Sequence, residues 1–128
     1  MKIIEKSIPA KLRYGGAPCE RKTFQAIRIE VNGELACIEP SLRTAVQALK
    51  PGGRGVVITF HSLEDRITKQ TFADLAKGCV CPPDFPVCVC GRKPVVRVVN
   101  RKPIIASAAE LEENPRARSA KVRIIEKL

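Results

Sequence analysis

The sequence predicts an α/β fold, a parallel sheet finished by an antiparallel edge hairpin. A β-branched run at 55–60 lies between a helix stop, Pro51-Gly52-Gly53, and a new helical pattern from Leu63. A buried strand between two helices reads this way. Apolar residues on either side of the run recur at helical spacing. Two further strand-like runs, at 95–99 and 120–128, follow without a long crossover between them, which places them in a hairpin at the sheet edge.

The elements follow in order. Residues 1–10 suit a helical turn ending at Pro9, and Gly15, Gly16 and Pro18 mark 11–22 as a loop. From Thr23, Phe24, Ile27, Val31 and Leu35 fall on one helical stripe, with Arg28 and Asn32 opposite. Gly33 and Pro40 split the run into helices at 23–33 and 39–49. The second groups Ile38, Leu42, Ala45 and Leu49, and Pro40 is tolerated in its first turn, where its missing N–H has no partner to lose. After the central strand, Ser62 is placed as N-cap of a helix at 63–77, with Asp65 three residues on and Gly78 as its stop. A Cys/Pro-rich loop covers 79–94, and Pro103 ends the strand at 95–99. A short helix at 108–113 and a turn at Asn114-Pro115 lead to the last strand.

The chain has 128 residues, enough for one domain with a modest core. Its 23 Lys/Arg against 13 Asp/Glu give a net charge of +10, concentrated at the two ends around a nearly neutral middle. That favours a polyanionic partner, nucleic acid ahead of an anionic membrane; a solvated basic surface is the plain alternative. No stretch approaches the roughly 20 apolar residues of a membrane span. The charged start, Met1-Lys2-Ile3-Ile4-Glu5-Lys6, does not suit a signal peptide. We therefore expect a cytoplasmic protein with no membrane partner, in which the six cysteines are free thiols or metal ligands rather than disulfides.

Four groups of residues could carry chemistry. His61, Ser62, Glu64 and Asp65 follow the central strand, and working groups in open α/β sheets gather beyond the carboxyl ends of strands. Helix capping accounts for Ser62 and Asp65. It leaves unexplained why the one histidine of the chain sits at a strand end. A carboxylate at this place could accept hydrogen bonds from an exocyclic amine, as Asp and Glu do from that of cytosine. Arg116 and Arg118 on a Pro-stiffened turn make a phosphate clamp or simply a basic turn. Arg21 and Lys22 precede a helix start, a place that also attracts anions. Cys79, Cys81, Cys88 and Cys90, two Cys-x-Cys pairs, could supply a tetrahedral four-cysteine site for structural zinc; free thiols or a disulfide formed on purification are the alternative. Cys37 reads as a small semi-buried residue. No Gly-x-Gly-x-x-Gly and no P-loop is present, so a nucleotide-like cofactor would find no cradle in this chain.

Taken together, four stretches are similar to a known family. They are Thr23-Phe24-Gln25-Ala26-Ile27-Arg28-Ile29-Glu30-Val31-Asn32, Pro51-Gly52-Gly53-Arg54, Ile58-Thr59-Phe60-His61-Ser62-Leu63-Glu64-Asp65-Arg66, and Asn114-Pro115-Arg116-Ala117-Arg118-Ser119-Ala120-Lys121-Val122-Arg123. In this order they resemble the carboxyl-terminal half of the bacterial ribosomal RNA small subunit methyltransferase H (MraW) family, from about residue 8 to the end. The resemblance implies the second half of a class I, Rossmann-like methyltransferase sheet. Residues 1–20 would be the end of a helical RNA-recognition insertion, and 21–128 the carboxyl-terminal part of the methyltransferase domain with a Cys-rich insert at 79–90.

It also implies S-adenosylmethionine-dependent methylation of the N4 amine of a cytosine in small-subunit ribosomal RNA, the base being unstacked to reach its pocket. Glu64 or Asp65 would accept the amine hydrogens, with His61 and Ser62 shaping the pocket. Arg21, Lys22, Gln25, Arg28, Arg66, Arg116 and Arg118 would contact RNA. The cofactor loop would lie upstream of Met1, so the chain would be a partial enzyme whose partner is an upstream half of the same enzyme or a second copy. One departure stands out: where the family has His-Pro before its Arg-Thr-Phe-Gln motif, this chain reads Ala17-Pro18-Cys19-Glu20-Arg21-Lys22. The rival expectation is a non-enzymatic RNA-binding module stabilised by zinc.

Overall fold

A computed structural model describes residues 2–9, 19–82 and 86–128. The part of the expected 11–22 loop at 11–18 lies outside the described residues. The chain divides into two compact units, residues 1–37 and 38–128.

The first unit contains α1 (Lys2–Ser7) and α2 (Cys19–Asn32). Residues 19–22, expected as loop, are the first turn of α2; no breaker follows Pro18, and Glu20 complements the helix dipole. Gly33 (φ +61°) ends the helix. Its N–H bonds the carbonyl of Glu30 and the next N–H bonds that of Ile29, the paired bonds of a Schellman stop. The apolar stripe of α2 is real but largely uncovered, with Phe24, Ile27 and Val31 all exposed.

In the second unit, α3 (Ile38–Ala48) runs into a tight turn in which the Gly53 N–H bonds the Lys50 carbonyl at 2.8 Å. Pro51 and Gly52 fill its centre, and Gly52 at φ +78° supplies the left-handed position a type II turn requires. β1 (Arg54–Thr59) follows, then α4 (Ser62–Ala76), β2 (Val96–Val98), α5 (Ala108–Glu113), a 3₁₀ turn (Pro115–Ser119) and β3 (Lys121–Lys127).

The sheet order is β1-β3-β2, and both pairings are antiparallel. Arg54 lies opposite Glu126 and Thr59 opposite Lys121, while Val96 lies opposite Lys127. This corrects the expected parallel sheet: among the described residues no two parallel strands are hydrogen-bonded. β1 and β2 point the same way, but β3 returns between them and separates them. The antiparallel hairpin is present; it is the insertion of its second strand against β1 that periodicity did not reveal.

One face of the sheet carries α3 and α4. Val46, Phe72, Leu75, Val96 and Ile125 form the buried core, with Leu42, Leu49, Val57, Ala76 and Val98 packed around it. The opposite face of β1 is apolar yet open, with Val56 60% and Ile58 55% exposed. No described helix is long and apolar enough to cross a membrane.

Candidate functional site

β1 ends at Thr59, and the chain turns through Phe60 into α4. The cap of α4 is His61 rather than the expected Ser62, which is the first helical residue and is exposed. His61 Nδ1 accepts the Glu64 N–H at 3.4 Å, while Glu64 Oε2 accepts the N–H groups of Phe60 and His61 at 2.8 and 3.2 Å. This is a capping box with imidazole in the usual hydroxyl's place. Nδ1 being an acceptor, the neutral ring carries its proton on Nε2. Nε2 lies 3.2 Å from Glu64 Oε1 but makes no hydrogen bond. Replacing Glu64 with Ala strips the acceptor from two backbone donors, so we expect a loss of about 1 kcal/mol, read as a lower Tm. An unchanged Tm would mean the box does not hold in solution.

Asp65 points the other way, into the sheet. Its carboxylate is buried and forked by Arg123, with Nε to Oδ1 at 2.7 Å and Nη2 to Oδ2 at 3.0 Å. Lys121 Nζ stands 3.5 Å from Oδ2. The Arg123 guanidinium holds the Asp65 carboxyl below the usual carboxylate range, with a smaller contribution from Lys121. Neither cation was singled out from the sequence as a site residue. The available signal was strand parity: Arg123 shares the inward face of β3 with Ile125, and a buried arginine needs a carboxylate.

The predicted RNA contacts fall in both units. Arg21, Phe24, Gln25 and Arg28, with Glu20, line a shallow depression of about 440 Å³ along α2. Arg28 pairs with Glu34 at 2.9 Å, and Lys22 is exposed outside the depression. In the second unit Arg66 is exposed on α4. Arg116 and Arg118 project from the 3₁₀ turn, anchored by buried Ala117 between them. With Leu111, Pro115 and Ser119 they line a depression of about 500 Å³.

The four clustered cysteines do converge, their sulfurs all lying within 4.8 Å of one another. Backbone N–H groups of Val80 and Arg92 bring Cys90 down to about 6. At Cys79 the Cys81 amide pulls down, but the neighbouring sulfurs outweigh it and push the thiol up to about 12. Cys37 is exposed rather than semi-buried, its thiol donating to the Glu34 carbonyl at 3.1 Å.

The family model for the MraW methylase family matches residues 1–128. The chain is 58% identical over 128 residues to the ribosomal RNA small subunit methyltransferase H of Symbiobacterium thermophilum, covering 100% of this chain and 40% of that protein. It is 55% identical over 128 residues to the protein of the same name from Brevibacillus brevis, covering 100% and 41%. The corresponding protein of Heliobacterium modesticaldum is 54% identical over 126 residues, 98% of this chain and 40% of that protein. The chain thus spans about 40% of the length of these curated relatives.

Proposed function

The chain belongs to the MraW methylase family, and from that premise we propose that it supplies the acceptor side of an S-adenosylmethionine-dependent ribosomal RNA methyltransferase. The acceptor we assign is the N4 amine of a cytosine in small-subunit RNA. The observation that carries this reading is the 54–58% identity over nearly all of the chain to proteins named for that RNA.

The described residues do not fit a cradle for the cofactor. No glycine-rich turn follows a strand, and the carboxylates at the end of β1 are committed to Arg123 and to backbone amides. We therefore place the cofactor site outside this chain, on an upstream half of the same enzyme. Among the described residues one edge of β1 is unpaired and its apolar face is open, which supports a partner there, since bare strand edges pair readily.

Within the chain, Glu64 is the better acceptor for the amine hydrogens. Its Oε2 is occupied by two amides, while Oε1, 3.2 Å from His61 Nε2, makes no hydrogen bond. Asp65, locked on Arg123, is a positioning residue that fixes the first turn of α4 against β3. His61 and Ser62 form the rim at the strand end. Arg66, Arg116 and Arg118 hold phosphates, and in the first unit Arg21, Lys22, Gln25 and Arg28 do the same, with exposed Phe24 a surface for a stacked base. Residues 1–20 are assigned to the end of an RNA-recognition insertion.

The test is a chimera in which this chain replaces the matching 40% of the Symbiobacterium thermophilum protein. The folded chimera should methylate small-subunit RNA, and nucleoside mass spectrometry should find N4-methylcytidine. A folded but inactive chimera would sink the reading, and a different methylated base would correct its chemistry. Changing both Arg116 and Arg118 to Ala in the active chimera should weaken RNA binding and lower its salt dependence by about two counterions. An unchanged salt slope removes them from the interface.

A further inference from the structure

We propose that Cys79, Cys81, Cys88 and Cys90 bind one zinc ion as a closed tetrahedral thiolate site, and that this site docks residues 79–82 and 86–92 onto the end of α4. The sulfurs already have the required spacing. A Zn–S bond of about 2.3 Å implies tetrahedral S···S edges of about 3.8 Å. Cys88 and Cys90 sulfurs are 3.6 Å apart, Cys90 and Cys79 sulfurs 3.7 Å, and no pair in the group exceeds 4.8 Å. Four soft ligands in this arrangement select zinc over the hard divalent cations, and they leave no open position for a catalytic water. Binding releases the thiol protons to solvent and leaves a net charge of −2 on the site. Lys77, Arg92 and Lys93 flank it in sequence, and the Cys81 N–H points at the Cys79 sulfur from 3.4 Å.

The segment has little else to hold it. Among the described residues, no backbone–backbone hydrogen bond outside helices and strands falls between Gly78 and Pro94. Val80, Val87 and Val89 are exposed, so the described residues of the segment form no local core. A short stretch without ladder or core needs a covalent or metal staple. Its exit is tied to the body of the unit by Arg92, whose Nη2 donates to the Asp74 carbonyl at 2.6 Å and to Asp74 Oδ1 at 2.8 Å. Asp74 Oδ2 in turn takes Arg43 of α3 at 2.8 Å. Fixing the loop at Cys90 thereby fixes Arg92, which joins the end of the metal loop to α4 and, through Asp74, to the middle of α3. The Val95 N–H, bonded to the Leu75 carbonyl at 2.8 Å, opens the approach to β2 immediately afterwards.

The test uses the full chain purified under reducing conditions. Metal analysis should find about one zinc per chain, and cobalt reconstitution should give the intense visible bands of a tetrahedral thiolate site. Cys88→Ser and Cys90→Ser should each weaken cobalt affinity by at least about a hundredfold, while Cys37→Ser leaves it unchanged. Should the serine variants fail to fold, zinc displacement of cobalt from the unaltered chain still reports stoichiometry. Chelation should speed proteolysis within 77–94 and leave β3 protected. A reduced chain that takes up no tetrahedral cobalt, or a Cys88→Ser variant that keeps full affinity, overturns the site. Protease sensitivity that ignores chelation overturns the docking role.

Discussion

Arg123→Ala is expected to cost about 3–5 kcal/mol of stability, because it leaves the Asp65 carboxylate buried without its fork and with only Lys121, 3.5 Å from Oδ2, to face it. Both side chains are close to fully shielded, Arg123 8% and Asp65 11% exposed, so water cannot replace the lost fork. Against a typical total of about 5–15 kcal/mol, that removes a large share of the stability. Arg123→Lys keeps the charge but not the planar fork and should fall in between. Replacing both partners with apolar residues of similar volume should recover most of the loss, since the buried pair is costly to break rather than strongly stabilising in itself. Denaturant unfolding decides it: a loss below about 1 kcal/mol for Arg123→Ala would show that the pair is solvated in solution.

The same pair sets a pH dependence. The folded Asp65 carboxyl titrates below its unfolded value, through Arg123 first. Its contribution is therefore fully present above the unfolded carboxylate range near about pH 4 and is lost as pH falls through the depressed folded value. Asp74, held down by Arg43 and Arg92, and Glu126, held down by Arg54 and Arg97, act in the same direction. They are more open to solvent and weigh less. The stability gap between the natural chain and Asp65→Asn should accordingly shrink between about pH 5 and pH 2. A gap that is constant over that window would mean Asp65 is not ionised against Arg123.

Ile125→Ala should cost about 2–5 kcal/mol, and it also tests the strand register. Ile125 is 1% exposed at the centre of the middle strand, and its Cδ1 lies 3.0 Å from where a β-carbon on Gly55 would sit. No larger side chain at 55 could move in to fill the gap. Its neighbour Ile124 is only half-buried, on the opposite face, and its truncation should cost well under half as much. Equal losses, or a larger one at 124, would mean that β3 pairs one residue out of register.

How much of this was legible in the sequence depends on the range of the interaction. The end of α2 at Gly33, the Pro51-Gly52 turn before β1 and the short helix at 108–113 were placed from local signals and stand where those signals put them. The start of α4 was found within a residue, but its cap was assigned to Ser62. Hydroxyl preference at that position outweighed the less common imidazole, which reaches the same amide. Family membership was legible because it rests on contiguous stretches of residues, which folding does not rearrange.

Strand order, strand direction and the partner of Asp65 were decided only in three dimensions. Asp65 and Arg123 are 58 residues apart, and β1 and β3 are joined only through everything between them. Period-2 and period-3.6 patterns state which face of an element is apolar, not which element covers it. Arg123 therefore reads as one more strand residue until β3 is laid beside β1. The sequence by itself determined most of the elements, the family and the clustering of four cysteines in two pairs. The tertiary structure determined that β3 lies between β1 and β2, that Asp65 is a buried partner rather than a free acceptor, and that four sulfurs in two pairs come within 4.8 Å of one another. Each of these is a long-range contact that no local rule encodes.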